Sequence, residues 1–151
     1  MSGYSFFLAK WESDHEDIGN IRNQVLLAEI DPQWEFGSDD AENDAFHVIA
    51  YDSNSRPVAT GRMQPDGCID YVAVRRPWRN ATVGRAVVTY LVHIAQVRGL
   101  DSVYCKVPSM SRRFFEKNGF HPSGDVVEPG AFKHKFVRNV PPRGTWKITL
   151  Q

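Results

Sequence analysis

Two cysteines, Cys68 and Cys105, are all that this 151-residue chain holds. They form no C-x-x-C pair and have no metal-ligand spacing, which excludes a disulfide scaffold and a cysteine-based metal site. Each lies in a strand-like apolar run, so both read as reduced, buried thiols. No G-x-G-x-x-G follows a strand and no G-x-x-x-x-G-K-[ST] occurs, which removes the dinucleotide and P-loop nucleotide folds. No apolar run approaches the roughly 20 residues of a membrane span. Met1-Ser2-Gly3-Tyr4-Ser5 lacks the basic start and apolar core of a signal peptide. The expectation is a cytoplasmic protein that engages no membrane and holds no metal.

Net charge is missing too, with 18 Lys and Arg balancing 18 Asp and Glu. The balance conceals an asymmetry. Through His47 there are eleven acids against two bases, a charge of −9, which leaves +9 for the remainder. A basic second half suits a ligand that carries several phosphates. The acidic first half, dense at Asp39, Asp40, Glu42 and Asp44, attracts a cationic amine or the basic surface of a protein; the plainer alternative is a solvated loop and helix start. Nucleic acid is not expected as a partner. Phe114, Phe115 and Phe120 fall at core spacing, without the aromatic–basic interleaving of an RNA-binding sheet.

What is present is one alternation of strands and helices without repeats. Ser5 to Trp11 reads as a strand, and Ile18, Ile21, Val25 and Leu26 give helical spacing to Asp17 through Glu29, which Asp31-Pro32 ends. Ala45–Tyr51 and Pro57–Met63 read as a hairpin around Asp52-Ser53-Asn54-Ser55. After Asp66-Gly67 comes the strand Cys68–Val74. A basic turn then leads into a helix whose apolar stripe is Val83, Val87, Tyr90, Leu91 and Ile94, stopped by Gly99. Val103–Val107 is a strand, Ser109–Asn118 a helix stopped by Gly119, and Ala131–Val137 a strand. Residues 1–140 form a single domain, and 141–151 an extension carrying a short strand, Thr145–Leu150. This order predicts an α/β or α+β fold, a sheet covered by helices.

The stretch from Gly67 to Arg98 carries the chemistry. A strand that stops at a tight basic turn directly before a helix leaves the first helical N–H groups unpaired, and these together with the helix dipole bind an anion. Arg79 and Arg85 bracket the turn, and Gly84 lets a ligand approach the backbone.

This segment resembles the acetyl-CoA-binding motif of the Gcn5-related N-acetyltransferases, the GNAT superfamily: Arg or Gln, two residues, Gly, one residue, then Gly or Ala. Arg79 and Gly84 match, and Thr82 stands at the inner glycine. Ala73-Val74 with Pro77-Trp78-Arg79 is similar to the family's strand-to-loop passage. Phe114-Phe115-Glu116-Lys117-Asn118-Gly119-Phe120 is similar to its F-Y-E-K-x-G-F signature, and Arg22 through Glu29 resembles the R-x-x-V-F-x-x-E helix of the ElaA-like branch. The resemblance spans roughly residues 5 to 138. It implies a mixed sheet splayed open between the motif strand and Val103–Val107. It further implies an acetyl-CoA site at Val72, Val74, Arg79, Asn80, Ala81, Thr82, Val83, Gly84 and Arg85, and transfer of an acetyl group to a small-molecule or protein amine. A homodimer is among the assemblies left open.

An amine with a pKa near 10.4 must lose a proton before it attacks, so a base is useful. Strict alternation places Cys68, Asp70, Val72 and Val74 on one face of the strand and Ile69, Tyr71 and Ala73 on the other. Asp70, the one acid in that strand, is the first candidate base. Its other reading is an Asp that bonds the preceding turn. Glu29, from the ElaA-like helix, is the second candidate; it also reads as a solvated helix end. His134 falls where that branch has a histidine; between Lys133 and Lys135 it should point inward, and a core histidine is its other reading. The resemblance locates an oxyanion-binding backbone N–H near Val72. Two family positions differ: Phe115 replaces the tyrosine that protonates the leaving thiolate, and Pro108 an asparagine seven residues earlier. Tyr71 and Tyr104 are the candidates to substitute for that hydroxyl. With that acid missing, the alternative function is a CoA-binding or protein-interaction module on the same fold.

Overall fold

The computed structural model describes residues 3–25, 39–79, 82–108, 111–126 and 133–142. Within them β1 is Ser5–Ala9, α1 Trp11–Arg22, β2 Phe46–Tyr51, β3 Pro57–Met63, β4 Ile69–Val74, α2 Val83–Val97, β5 Ser102–Pro108, α3 Arg112–Lys117, β6 His121–Val126 and β7 Lys133–Asn139. Leu26 through Glu29, the Asp31-Pro32 stop, Asn80, Ala81 and the Thr145–Leu150 strand lie outside the described residues.

Strands β1 to β4 form an antiparallel meander, and β5, β7 and β6 a second antiparallel sheet in that order. One parallel joint connects them: Cys68 bridges Tyr104, whose N–H donates to Gly67 O at 3.0 Å. Among the described residues β4 and β5 make no further ladder, so the sheet opens into a V above this joint. The fold is the mixed, splayed α/β arrangement that the resemblance implied.

Helix α2 covers one face. Val83, Val87, Val88, Leu91 and Val92 pack with Val48, Met63, Ile69, Val103, Cys105 and Phe136. Closeness is enforced at Gly61 on β3, where a Cβ would lie 2.7 Å from Val87 Cγ1. Helix α1 covers the other face, burying Ile18, Ile21 and Val25 against Ile49 and Ala73.

Three expectations shift. Trp11 begins α1 instead of ending β1, because Asp14 accepts the Lys10 N–H at 2.9 Å and Glu12 and Asp14 put negative charge in the first turn. Strand β6, in a segment the sequence reading leaves unassigned, contains Pro122 and Gly124. It is an edge strand, where a missing donor is tolerated, and its register shifts between Pro122 and Val126 with Gly124 at φ 86°. The alternation along β4 also fails. Asp70 pairs with Arg62 and Ala73 with Thr60, so Gly61 alone faces Tyr71 and Val72. Tyr71, at φ 49°, is the extra residue of a bulge. Ile69, Val72 and Val74 therefore pack toward α2, whereas Asp70, Tyr71 and Ala73 turn toward α1.

Candidate active site

The open edge of β4 is the wall of the V. The Arg75 N–H donates across the ladder to Val58 O at 2.9 Å, and backbone direction alternates along a strand, so the Val74 and Val72 amides face the gap. Above them the chain turns through Arg76–Trp78 into α2, whose first intrahelical bond runs from Ala86 N–H to Thr82 O at 3.0 Å. The amides of Val83, Gly84 and Arg85 precede that ladder and so have no intrahelical acceptor. Thr82 has φ −101° and ψ −37°, so the β-branched residue at the inner glycine position costs little.

Two cradle residues have structural duties. Arg79 Nε donates to Val74 O at 2.7 Å, fastening the turn to the end of β4. Gly84 is buried, and a Cβ there would lie 3.2 Å from both Val74 Cγ2 and Phe114 Cε1, so its smallness serves the contact of α2 with β4 and α3. Phe115 is buried edge-on to Phe114 and Phe120.

The α1 face of the V is polar and interlocked. Arg62, 1% exposed, uses all five guanidinium N–H groups. Nε donates to Asp70 Oδ1 (2.7 Å), Nη1 to Asp39 Oδ1 (2.7 Å) and Glu42 Oε1 (3.1 Å), and Nη2 to Asp70 Oδ2 (2.7 Å) and Asp39 Oδ2 (3.2 Å). Buried Arg22 holds the other side of Glu42. Burial opposes the charge on Arg62, but its bonds to Asp70 and Asp39 outweigh it and hold its pKa above the usual range. The bond from Arg62 holds the Asp39 carboxyl below its usual value. Two cations thus meet three carboxylates, and of these Asp39 and Asp70 retain exposure, 41% and 25%. The reading of residues 39–44 as a merely solvated loop is replaced at Asp39 and Glu42, which are built into this cluster.

Tyr71 joins the same cluster. Arg22 stacks over one side of its ring at 4.5 Å, Arg62 contacts it at 4.4 Å, and its hydroxyl donates to Asp39 Oδ2 at 3.1 Å. A left-handed conformation costs a side-chain-bearing residue about 1–2 kcal/mol, and two cation–π contacts of about 0.5–2 kcal/mol each offset it.

Asp70 and His134 fall on opposite faces of the sheet. Asp70 is on the α1 face, its oxygens accepting from Arg62 and, at 3.0 Å, from Gln64. His134 pairs with Val107 and shares the core-facing side of Phe136, the direction the sequence predicted, but it is exposed there. The two phenols are committed as donors, Tyr71 to Asp39 and Tyr104 to Asp66. Burial and the nearby carboxylate push Tyr71 up to about 12 and raise Tyr104 as well. Neither is a ready acid for a thiolate. Burial pushes Cys68 to about 11 and Cys105 to about 12, so both thiols are inert.

Sequence reasoning passed over Arg62 and gave Arg22 no role beyond opening the ElaA-like helix motif. The usable signal was a cation inside an apolar run, Arg62 within Val58–Met63 and Arg22 beside Ile18, Ile21 and Val25, in a segment rich in acids.

Known proteins share this frame. The profile of the acetyltransferase (GNAT) family matches residues 8–120. A curated relative, the uncharacterized N-acetyltransferase YjcF of Bacillus subtilis (strain 168), is 26% identical over 116 residues, 75% of this chain and 82% of its own. Escherichia coli ElaA superposes with a TM-score of 0.71 at 19% identity, over 89% of this chain and 98% of that one. Neisseria gonorrhoeae N-acetylglutamate synthase, solved with coenzyme A and N-acetyl-glutamate, superposes with a TM-score of 0.71 at 14% identity, over 93% of this chain and 36% of that one. At these identities the two structures establish the fold. With the family profile running from the end of β1 to the residues after α3, across every element that frames the gap, this chain belongs to the acetyltransferase (GNAT) family of N-acetyltransferases.

Proposed function

We propose that this protein transfers an acetyl group from acetyl-CoA to a primary amine, of a small molecule or of a protein, by direct attack on the thioester. The observation that carries the reading is the one-sided V, with the Val72 and Val74 amides on its open edge and the amides of Val83, Gly84 and Arg85 above. These residues fit the ligand. The α2 N-terminus with Arg79 and Arg85 would hold its phosphates, and Asn80 and Ala81 are candidates from the motif alone. The strand amides would bind the linear arm, and Val72 N–H would meet the oxygen that gains charge during attack. Acetyl-CoA supplies the activated acyl group.

The α1 face would receive the acceptor. Three carboxylates against two guanidinium groups favour a cationic amine there, held by the exposed parts of Asp39 and Asp70. Asp70 is the favoured base because it adjoins the bulge on that face. His134 lies on the other face, and Glu29 remains a candidate from sequence alone. Asp70 already accepts three N–H bonds, so it takes a proton by loosening its hold on Arg62. No phenol need protonate the departing sulfur, since a thiol of pKa about 8.5 is a tolerable leaving group.

The test is free-thiol release from acetyl-CoA across a panel of amines. Turnover is expected with a cationic amine, and tight CoA binding with no turnover on any amine overturns the transferase reading. Asp70→Asn should lower turnover most at low pH and recover as the pH approaches the amine's own pKa; a wild-type profile removes Asp70 as the base.

A further inference from the structure

We infer that Tyr71 is the positioning residue of this site: its ring, held by cation–π contacts with Arg22 and Arg62 and tethered to Asp39, holds the β4 bulge that aims the Val72 amide into the V. The inference rests on the oxyanion role proposed for Val72.

Nothing local favours a bulge here. Cys68-Ile69-Asp70-Tyr71-Val72-Ala73-Val74 is a regular strand sequence, and an aromatic residue at φ 49° is an outlier with no glycine or asparagine to excuse it. Left to its own preferences, β4 would pair residue for residue with β3. With the Asp70–Arg62 pairing kept, Tyr71 would then rotate toward α2, and the Val72 N–H would turn from the gap to the ladder. What prevents this lies outside the strand. Arg22 comes from α1 and Arg62 from β3, and their guanidinium carbons are 4.5 and 4.4 Å from the same ring. Asp39, which accepts the Tyr71 hydroxyl, also binds Arg62 through both oxygens. Each guanidinium is itself fixed by Glu42. The clamp therefore has a rigid backing, and on the opposite side Gly61 leaves room for Val72. Strain of this kind persists only where the surroundings over-determine it. Here they do so through one side chain, and its backbone neighbour is the amide facing the gap.

Three variants separate aiming from mere support. Tyr71→Phe keeps the stacked ring and loses only the tether, so kcat should stay within about threefold of wild type. Tyr71→Gly adopts the left-handed conformation without strain but has no ring to clamp. It should remain folded with kcat reduced about 10²-fold, the scale set by a misplaced oxyanion donor, and an unchanged KM for acetyl-CoA. Tyr71→Trp should restore most of the activity through its larger π face. A Tyr71→Gly enzyme with wild-type kcat overturns the inference, as does a loss seen equally in Tyr71→Phe. The ¹⁵N-resolved amide of Val72, read without ligand, tests the bulge independently of turnover. It should shift strongly in Tyr71→Gly and little in Tyr71→Phe, and an unmoved resonance in both refutes the clamp. If the wild-type protein releases no thiol with any amine, the transferase reading fails while this measurement still decides whether Tyr71 holds the bulge.

Discussion

Replacing Arg62 with Met removes the hub of the α1-face cluster while keeping much of the side chain's volume. Five hydrogen bonds disappear, all to carboxylates, and Glu42, 2% exposed, loses one of its two guanidinium partners. Removing one member of a buried ion pair costs about 3–5 kcal/mol, because the remaining charge is left uncompensated. Against a total stability of about 5–15 kcal/mol this is a large fraction, and for a chain of this size it corresponds to a fall in Tm of roughly 6–20 °C. The pH dependence distinguishes charge from packing. In the wild type the bond from Arg62 lowers the Asp39 pKa, so its contribution is complete above the unfolded value of about 3.9 and is lost as pH falls through the folded value. In Arg62→Met that bond is gone and Asp39 faces two other carboxylates, so its folded pKa rises. Protonation then relieves the variant while it weakens the wild type, so the gap between them should shrink from pH 7 to pH 4. Urea unfolding at both pH values measures this. A variant within about 1 kcal/mol of wild type at pH 7, or a gap that does not change with pH, refutes the assignment of Arg62 as the charge hub.

Two further outcomes concern the core. His47 is buried, its Nε2–H donates to Glu42 O at 2.8 Å, and its Nδ1 has no hydrogen-bond partner among the described residues; burial lowers its pKa. The depressed value means that its stability contribution is present above about 6.5 and is lost as pH falls through the folded value, by up to about 1.4 kcal/mol per pH unit. His47→Gln should flatten the urea-midpoint profile between pH 7 and 5, and parallel profiles would dismiss His47 as the source. Gly61→Ala places a methyl 2.7 Å from Val87 Cγ1 and 3.1 Å from Leu91 Cδ1, whereas at Gly84 the nearest atoms are at 3.2 Å. Overpacking costs about 1–3 kcal/mol, and the better helix propensity of alanine returns up to about 1 kcal/mol at Gly84 alone, so Gly61→Ala should be the more destabilising by chemical denaturation. The reverse order would contradict the packing described for α2.

The parts of the fold legible in the sequence were those set by local pattern. The β2–β3 hairpin, β4 and α2 follow from alternation, helical spacing and glycine stops, and the motif residues from Val72 to Arg85 come from a strand–turn–helix that needs no distant partner. The illegible parts depend on partners far along the chain. Tyr71 leaves strand geometry because of Arg22, 49 residues earlier, and Arg62, so alternation put Asp70 on the same face as Val72 and Val74 when the bulge separates them. β6 carries Pro122 and Gly124, and what they cost depends on its being an edge strand, a fact of sheet order. The acids at 39 and 42 were visible as charge, but their buried role required knowing that two arginines wait beneath them.

The joint between the two sheets has a bearing on how the molecule opens. Within the first sheet β2, β3 and β4 join strands that follow one another directly in the chain, so their contacts close short loops and form early. The other sheet must place its last strand, β7, between two earlier ones, and it docks to the meander through the Tyr104 N–H and Gly67 O. The amide proton of Tyr104 is accordingly a gauge of inter-sheet docking. Its hydrogen exchange should follow separation of the two halves, faster than exchange from the middle of the meander, and should slow when a ligand bridges the V.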